Sequence, residues 1–111
     1  MTGRPRADAE RFVERFGLCE VVDALIARED AAALKPDPAP VRAALRALNV
    51  ERAWMVGDTP DDVVAARAAA VLPIGCLPPG CGAPDELRAS LHEAGAGFVL
   101  NETTEIEELL P

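Results

Sequence analysis

Short apolar runs alternate with amphipathic stretches along the whole of this chain, and that alternation leaves few folds open. Residues 21–27, 52–56, 71–77 and 97–100 are apolar, several of them β-branched, and are predicted to be strands. Residues 5–16 place Ala9, Phe12, Val13 and Phe16 at helical spacing, with Pro5 suited to a first turn and Gly17 to a stop. Residues 37–49 repeat the pattern with Val41, Ala44, Leu45 and Leu48, opened by prolines and closed by Asn49. Further helices are predicted over 60–70, with an alanine-rich face, over 84–94, presenting Leu87 and Leu91, and over 103–110, using Ile106, Leu109 and Leu110. Parallel strands need crossovers long enough to hold a helix, so this order of elements predicts an α/β domain: a parallel sheet with helices on both faces. In such sheets a ligand sits beyond the carboxyl ends of the strands.

A length of 111 residues with no repeat, linker or low-complexity stretch predicts one domain. The formal charge of -8 opposes a nucleic-acid backbone or an anionic membrane as partner, since either would be repelled. No apolar run approaches the ~20 residues of a membrane span, and the N-terminal stretch lacks the apolar segment of a signal peptide. Cys19, Cys76 and Cys81 are odd in number, with no histidine cluster near them, a poor match to a zinc site or a disulfide framework. They read as reduced thiols of a cytoplasmic protein. His92, the one histidine, reads as a surface residue.

The stretch "MVGDTPDDVVAARAAA" gathers three aspartates directly after an apolar run, where the chain turns into a helix. Part of this needs no ligand. Thr59 suits an N-cap, Pro60 a first helical residue, and Asp61 and Asp62 a first turn, with Thr59 and Asp62 at capping-box spacing. Each acid there gains ~0.3 to 1 kcal/mol from the helix dipole. Asp58 ends the strand instead, and helical side chains tilt toward the N-terminus, so Asp62 leans back toward it. Two carboxylates ~4 Å apart repel by roughly 4 kcal/mol at an effective dielectric of about 20, and by about 1 kcal/mol in water. A helix cap and a magnesium site, which takes one or two carboxylates plus waters and a phosphate oxygen, both remain open from spacing alone.

"VGDTPDDVVAARAAA" resembles the fourth motif of the haloacid dehalogenase superfamily, in the form found in phosphoglycolate-phosphatase-like members. In the same order, "LKPDPAPVRAALRALNV" resembles the third motif and "TGRPR" the second. The resemblance implies the Rossmannoid core of that superfamily and magnesium-dependent hydrolysis of a phosphorylated small molecule through an aspartyl-phosphate. It implies that Thr2 hydrogen-bonds the transferred phosphoryl group and that Lys35 neutralises its charge. Asp58 would bind Mg2+, Asp62 would do so directly or through water, and Asp61 would cap the helix or support the site. Ala70 stands where relatives usually have glycine at the helix stop.

The resemblance also shows what these residues lack. The superfamily's nucleophile is the first aspartate of an Asp-x-Asp motif, and no two aspartates here are separated by a single residue. In the superfamily that motif's strand lies between the strand bearing the threonine and the one bearing "VGD". Residues 1–111 are therefore expected to be a partial core domain without a cap, incomplete at its N-terminal strands and inactive alone. A missing N-terminal segment or a second copy would be its partner, and the "VGD" strand would keep an open edge. The competing expectation is a non-catalytic domain that binds magnesium or phosphate, or docks on a partner, having lost its nucleophile. A phosphoacceptor receiver domain fits less well, because there the acids precede the lysine.

Overall fold

The computed structural model describes residues 1–111, and its regular elements follow from local chemistry. Helix α1 spans Arg6–Arg15, with Pro5 at its N-cap and Gly17 just beyond it at φ 63°. Helix α2 spans Ala39–Leu48 and ends on Asn49, whose left-handed φ of 53° lets its N–H return to Arg46 and Leu45. Strand β1 (Trp54–Gly57) leads into α3 (Pro60–Ala68), β2 (Leu72–Cys76), α4 (Pro84–Ala94) and β3 (Phe98–Leu100). The three strands form one parallel sheet in the order β1-β2-β3, with Val56 beside Ile74 and Ile74 beside Phe98.

Strand alternation divides the core into two layers. Met55 packs with Val41 of α2 and with Ala65 and Ala66 of α3, while Leu91 of α4 seats against Gly75 and clusters with Val63 and Leu77. Helices α2, α3 and α4 thus share one face. On the other face Ile74, Cys76 and Leu100 are covered by Ile106 and Leu109. The rest of that face is open: Trp54, Val56, Leu72 and Phe98 are all exposed.

Two expected elements differ. Residues 21–27 are not a strand; they are turns followed by extended chain. A strand needs a ladder partner. Here the only neighbour is the N-terminal stretch, which bonds twice, Thr2 N–H to the Ile26 carbonyl at 2.8 Å and Arg28 N–H to the Arg4 carbonyl at 2.9 Å, before the chain enters α1. The terminal helix is a 3₁₀ segment, Thr103–Leu109. It opens on two β-branched threonines and carries Glu105, Glu107 and Glu108 with no basic residue, a poor composition for a regular α-helix.

Strand β1 is an edge strand. Alongside it runs a groove of about 230 Å³ whose walls, including Met1, Val41, Leu45, Leu48, Trp54 and Val56, are apolar throughout. A second apolar groove, of about 610 Å³, lies between α1 and the chain from Leu18 to Leu25. Phe12 and Phe16, expected on the buried stripe of α1, are each 57% exposed, with ring centroids 4.8 Å apart. No helix is long and apolar enough to cross a membrane. All three cysteines are free thiols.

Candidate functional site

The start of α3 is built as the sequence predicts. Thr59 is extended, and its Oγ1 accepts the Asp62 N–H at 3.3 Å while Asp62 Oδ2 accepts the Thr59 N–H at 3.2 Å, which closes a capping box. Asp62 does more than cap. Its Oδ2 also accepts the Asp58 N–H at 3.1 Å, and its Oδ1 accepts from Lys35 Nζ. Asp62 is 5% exposed, the one buried charged residue of the chain, and Lys35 is half-buried beside it.

Gly57 makes this placement possible. A Cβ there would lie 2.4 Å from Asp62 Cβ and 2.5 Å from Asp62 Oδ2, a separation that no side chain tolerates. The strand end therefore accepts the carboxylate only because residue 57 has no side chain. Sequence reasoning assigned Gly57 no role; the available signal was a glycine immediately ahead of the acidic cluster.

Lys35 reaches the site from the loop between the 3₁₀ turn at Arg28–Asp30 and α2. Thr2 lies near it: Thr2, Gly3, Leu34 and Lys35 are among the residues lining one narrow crevice. The Thr2 Oγ1 accepts the Arg4 N–H at 3.2 Å, which leaves its hydroxyl proton to point elsewhere. Burial, and after it the charge of Lys35, holds the Met1 terminal ammonium below its ordinary pKa. Asp58 is exposed at the carboxyl end of β1 and lends Asp62 its backbone N–H. Asp61 is exposed in the first turn of α3. Lys35, Asp62 and Asp58 thus meet at the carboxyl end of β1, and Thr2 shares a crevice with Lys35. The structure contains no group of three or more His, Cys, Asp or Glu side chains arranged to hold a metal ion.

A second polar cluster, unmarked in the sequence, ties the N-terminal stretch to residues 25–30. Arg6 bonds the Leu25 carbonyl and Asp30, its N–H meets both oxygens of Glu29 at 2.9 and 3.0 Å, and Asp30 accepts the Ala27 N–H at 2.8 Å. This cluster fixes the strip that carries Thr2.

The family model for haloacid dehalogenase-like hydrolases matches residues 1–75, from Thr2 through Lys35 to the end of the Asp58–Asp62 cluster and α3. The chain belongs to this family. A phosphoglycolate phosphatase of Rhodospirillum rubrum is 43% identical to this haloacid dehalogenase-like chain over 72 residues, covering 63% of it and 30% of the relative. A Phytophthora nicotianae protein named imidazoleglycerol-phosphate dehydratase is 39% identical over 119 residues, covering 99% of this chain and 26% of its own length. The crystal structure of a hydrolase from Pseudomonas syringae superposes with a TM-score of 0.80 at 22% identity, covering 96% of this chain and 50% of that one. The haloacid dehalogenase-like fold is therefore shared across nearly the whole chain, which spans half or less of the length of each of these proteins.

Proposed function

We propose that these residues form the lysine-bearing side of a phosphatase site acting on a phosphorylated small molecule, completed by chain outside residues 1–111. One observation carries the reading: Lys35, beside Thr2, is held by a buried carboxylate at the carboxyl end of β1, where α/β sheets bind ligands. There the Lys35 ammonium offsets charge on a phosphoryl group and Thr2 donates its hydroxyl proton to a phosphoryl oxygen, catalysis by preorganised charge. The nucleophile is a carboxylate supplied from outside, since the chain has no Asp-x-Asp motif. Its attack on phosphorus expels the alcohol, and water then hydrolyses the aspartyl-phosphate.

The magnesium ion implied by the resemblance does not find the paired ligands that the spacing allows. Both oxygens of Asp62 are engaged by protein donors, so Asp58 is the one free carboxylate of the pair, and further ligands have to come from elsewhere. The open edge of β1 and the apolar groove beside it, lined by Met1, Trp54 and Val56 among others, suit a supplied strand that pairs with β1, and the N-terminal segment carrying the nucleophile is the partner this reading requires. The free thiols fit a cytoplasmic protein.

Turnover of p-nitrophenyl phosphate with Mg2+ tests this, using the chain alone and mixed with a segment carrying an Asp-x-Asp strand. The expected result is no turnover alone and turnover on mixing. Turnover by the chain alone overturns the account of the chemistry, and none in either case favours a non-catalytic domain that binds phosphate or docks on a partner.

A further inference from the structure

We infer that Asp62 is the positioning residue for Lys35 and not a ligand for a divalent cation. This deepens the phosphatase reading and rests on it for what Lys35 is aimed at; the anchoring itself rests on geometry alone. The two oxygens of a carboxylate offer about four lone-pair directions. In Asp62 three are filled, by Lys35 Nζ and by the N–H groups of Asp58 and Thr59. Gly57 is packed so closely against the same carboxylate that it has no room to swing toward the strand, and the residue is buried. The one direction left is on Oδ1 beside the Lys35 ammonium, so a cation reaching Asp62 would have to sit against that like charge, expel Lys35 or break the helix cap. Balanced by the Lys35 ammonium, Asp62 adds no surplus negative charge to that of Asp58. Asp58, four residues earlier, is exposed and bears none of these constraints.

Lys35 is the chain's single lysine, so its acylation is readable without ambiguity. The experiment is pulse acylation with acetic anhydride at fixed pH, read by peptide mass spectrometry, with the buried thiol of Cys76 as an internal reporter of fold. Asp62→Asn keeps an oxygen for the two backbone N–H groups and removes the charge. It is expected to raise Lys35 acylation three-fold or more while Cys76 stays protected. Asp58→Asn is expected to leave it unchanged, and so is Thr59→Ala, which weakens the same helix start without touching the ion pair. Millimolar Mn2+ added to the unmodified chain is expected to have no effect.

An unchanged rate in Asp62→Asn overturns the inference, and so does Thr59→Ala matching Asp62→Asn, which would mean a loosened helix start and not a lost anchor. Acceleration by Mn2+ overturns it too, because the cation would then be displacing Lys35 from Asp62. Should Asp62→Asn fail to fold, the Mn2+ arm decides on the unmodified chain. No substrate enters these measurements, so they fail or succeed independently of the p-nitrophenyl phosphate assay.

Discussion

Replacing Gly57 by alanine adds one methyl group, and the structure says what that group meets. Its carbon would lie 2.4, 2.5 and 2.6 Å from Asp62 Cβ, Oδ2 and Cγ, where ordinary contact begins near 3.4 Å. The overlap is about 1 Å on three atoms of a side chain pinned by the cap and by Lys35, one of them a Cβ fixed to the backbone, so the start of α3 has to shift and carry Asp62 away from its partners. Two hydrogen bonds to a charged acceptor are worth about 1.5–3 kcal/mol each, and an N-cap contributes about 0.5–2 kcal/mol. These terms overlap, because the Asp62–Thr59 contact belongs to both, and water recovers part of the loss. The expected net cost of Gly57→Ala is therefore about 3 kcal/mol, far above the roughly 0.5 kcal/mol of an ordinary surface change. Urea unfolding followed by circular dichroism measures it, with an osmolyte added to keep both proteins within range. The decisive version is a double-mutant cycle with Asp62→Gly, which removes the Cβ as well as the carboxylate, so that the clash partner is gone and Gly57→Ala is expected to cost less than about 1 kcal/mol. If Gly57→Ala alone costs under 1 kcal/mol, or costs as much with Asp62 removed, the claim that residue 57 exists to admit this carboxylate is wrong.

Three other outcomes follow from particular residues. Ala70 sits at φ 59°, a left-handed conformation that disfavours any side chain, so Ala70→Gly is expected to stabilise the chain by about 0.5–1 kcal/mol in the same urea experiment. Trp54 and Val56 lie 41% and 40% exposed on an unpaired edge strand; Val56→Lys is expected to lower hydrophobic-dye binding and concentration-dependent light scattering, and unchanged values would show that the edge is not the sticky surface. The Ala27 N–H, opposed by desolvation and assisted by Arg6, holds Asp30 below the usual aspartate range. Its folded pKa lies below its unfolded one, so its contribution is present above the unfolded value, about 3.9, and is lost as pH falls through the folded value. The stability gap between the parent and Asp30→Asn is thus expected to be constant above about pH 5 and to shrink below about pH 4, whereas a gap independent of pH would exclude a role for the charge.

What could be read from the residues, and what could not, divides by the distance over which the deciding interaction acts. The helix boundaries near Gly17, Asn49 and Pro60 depend on caps within a few residues, and all three are visible as residue types in the right order. The three strands that form are those with a neighbour of matching length. Residues 21–27 have the same apolar character as 71–77, but the N-terminal stretch makes one backbone–backbone bond to them, from Thr2 N–H to the Ile26 carbonyl, and another only at Arg28 beyond them, so composition alone cannot separate the two cases. The acidic cluster shows the same division more sharply. Capping by Asp62 is a local property and was legible; its ion pair with Lys35, distant in sequence, was not, and the family resemblance implied only that Lys35 serves a phosphoryl group and Asp62 a magnesium ion. Spacing could pose the repulsion between Asp58 and Asp62 but not its resolution. Three protein donors, one of them the N–H of Asp58 itself, absorb the charge of Asp62, so the argument that two adjacent carboxylates demand a cation loses its premise once Lys35 is in place. A motif read from spacing alone gives the charges that must be balanced, and only the fold says which counter-charge arrives to balance them.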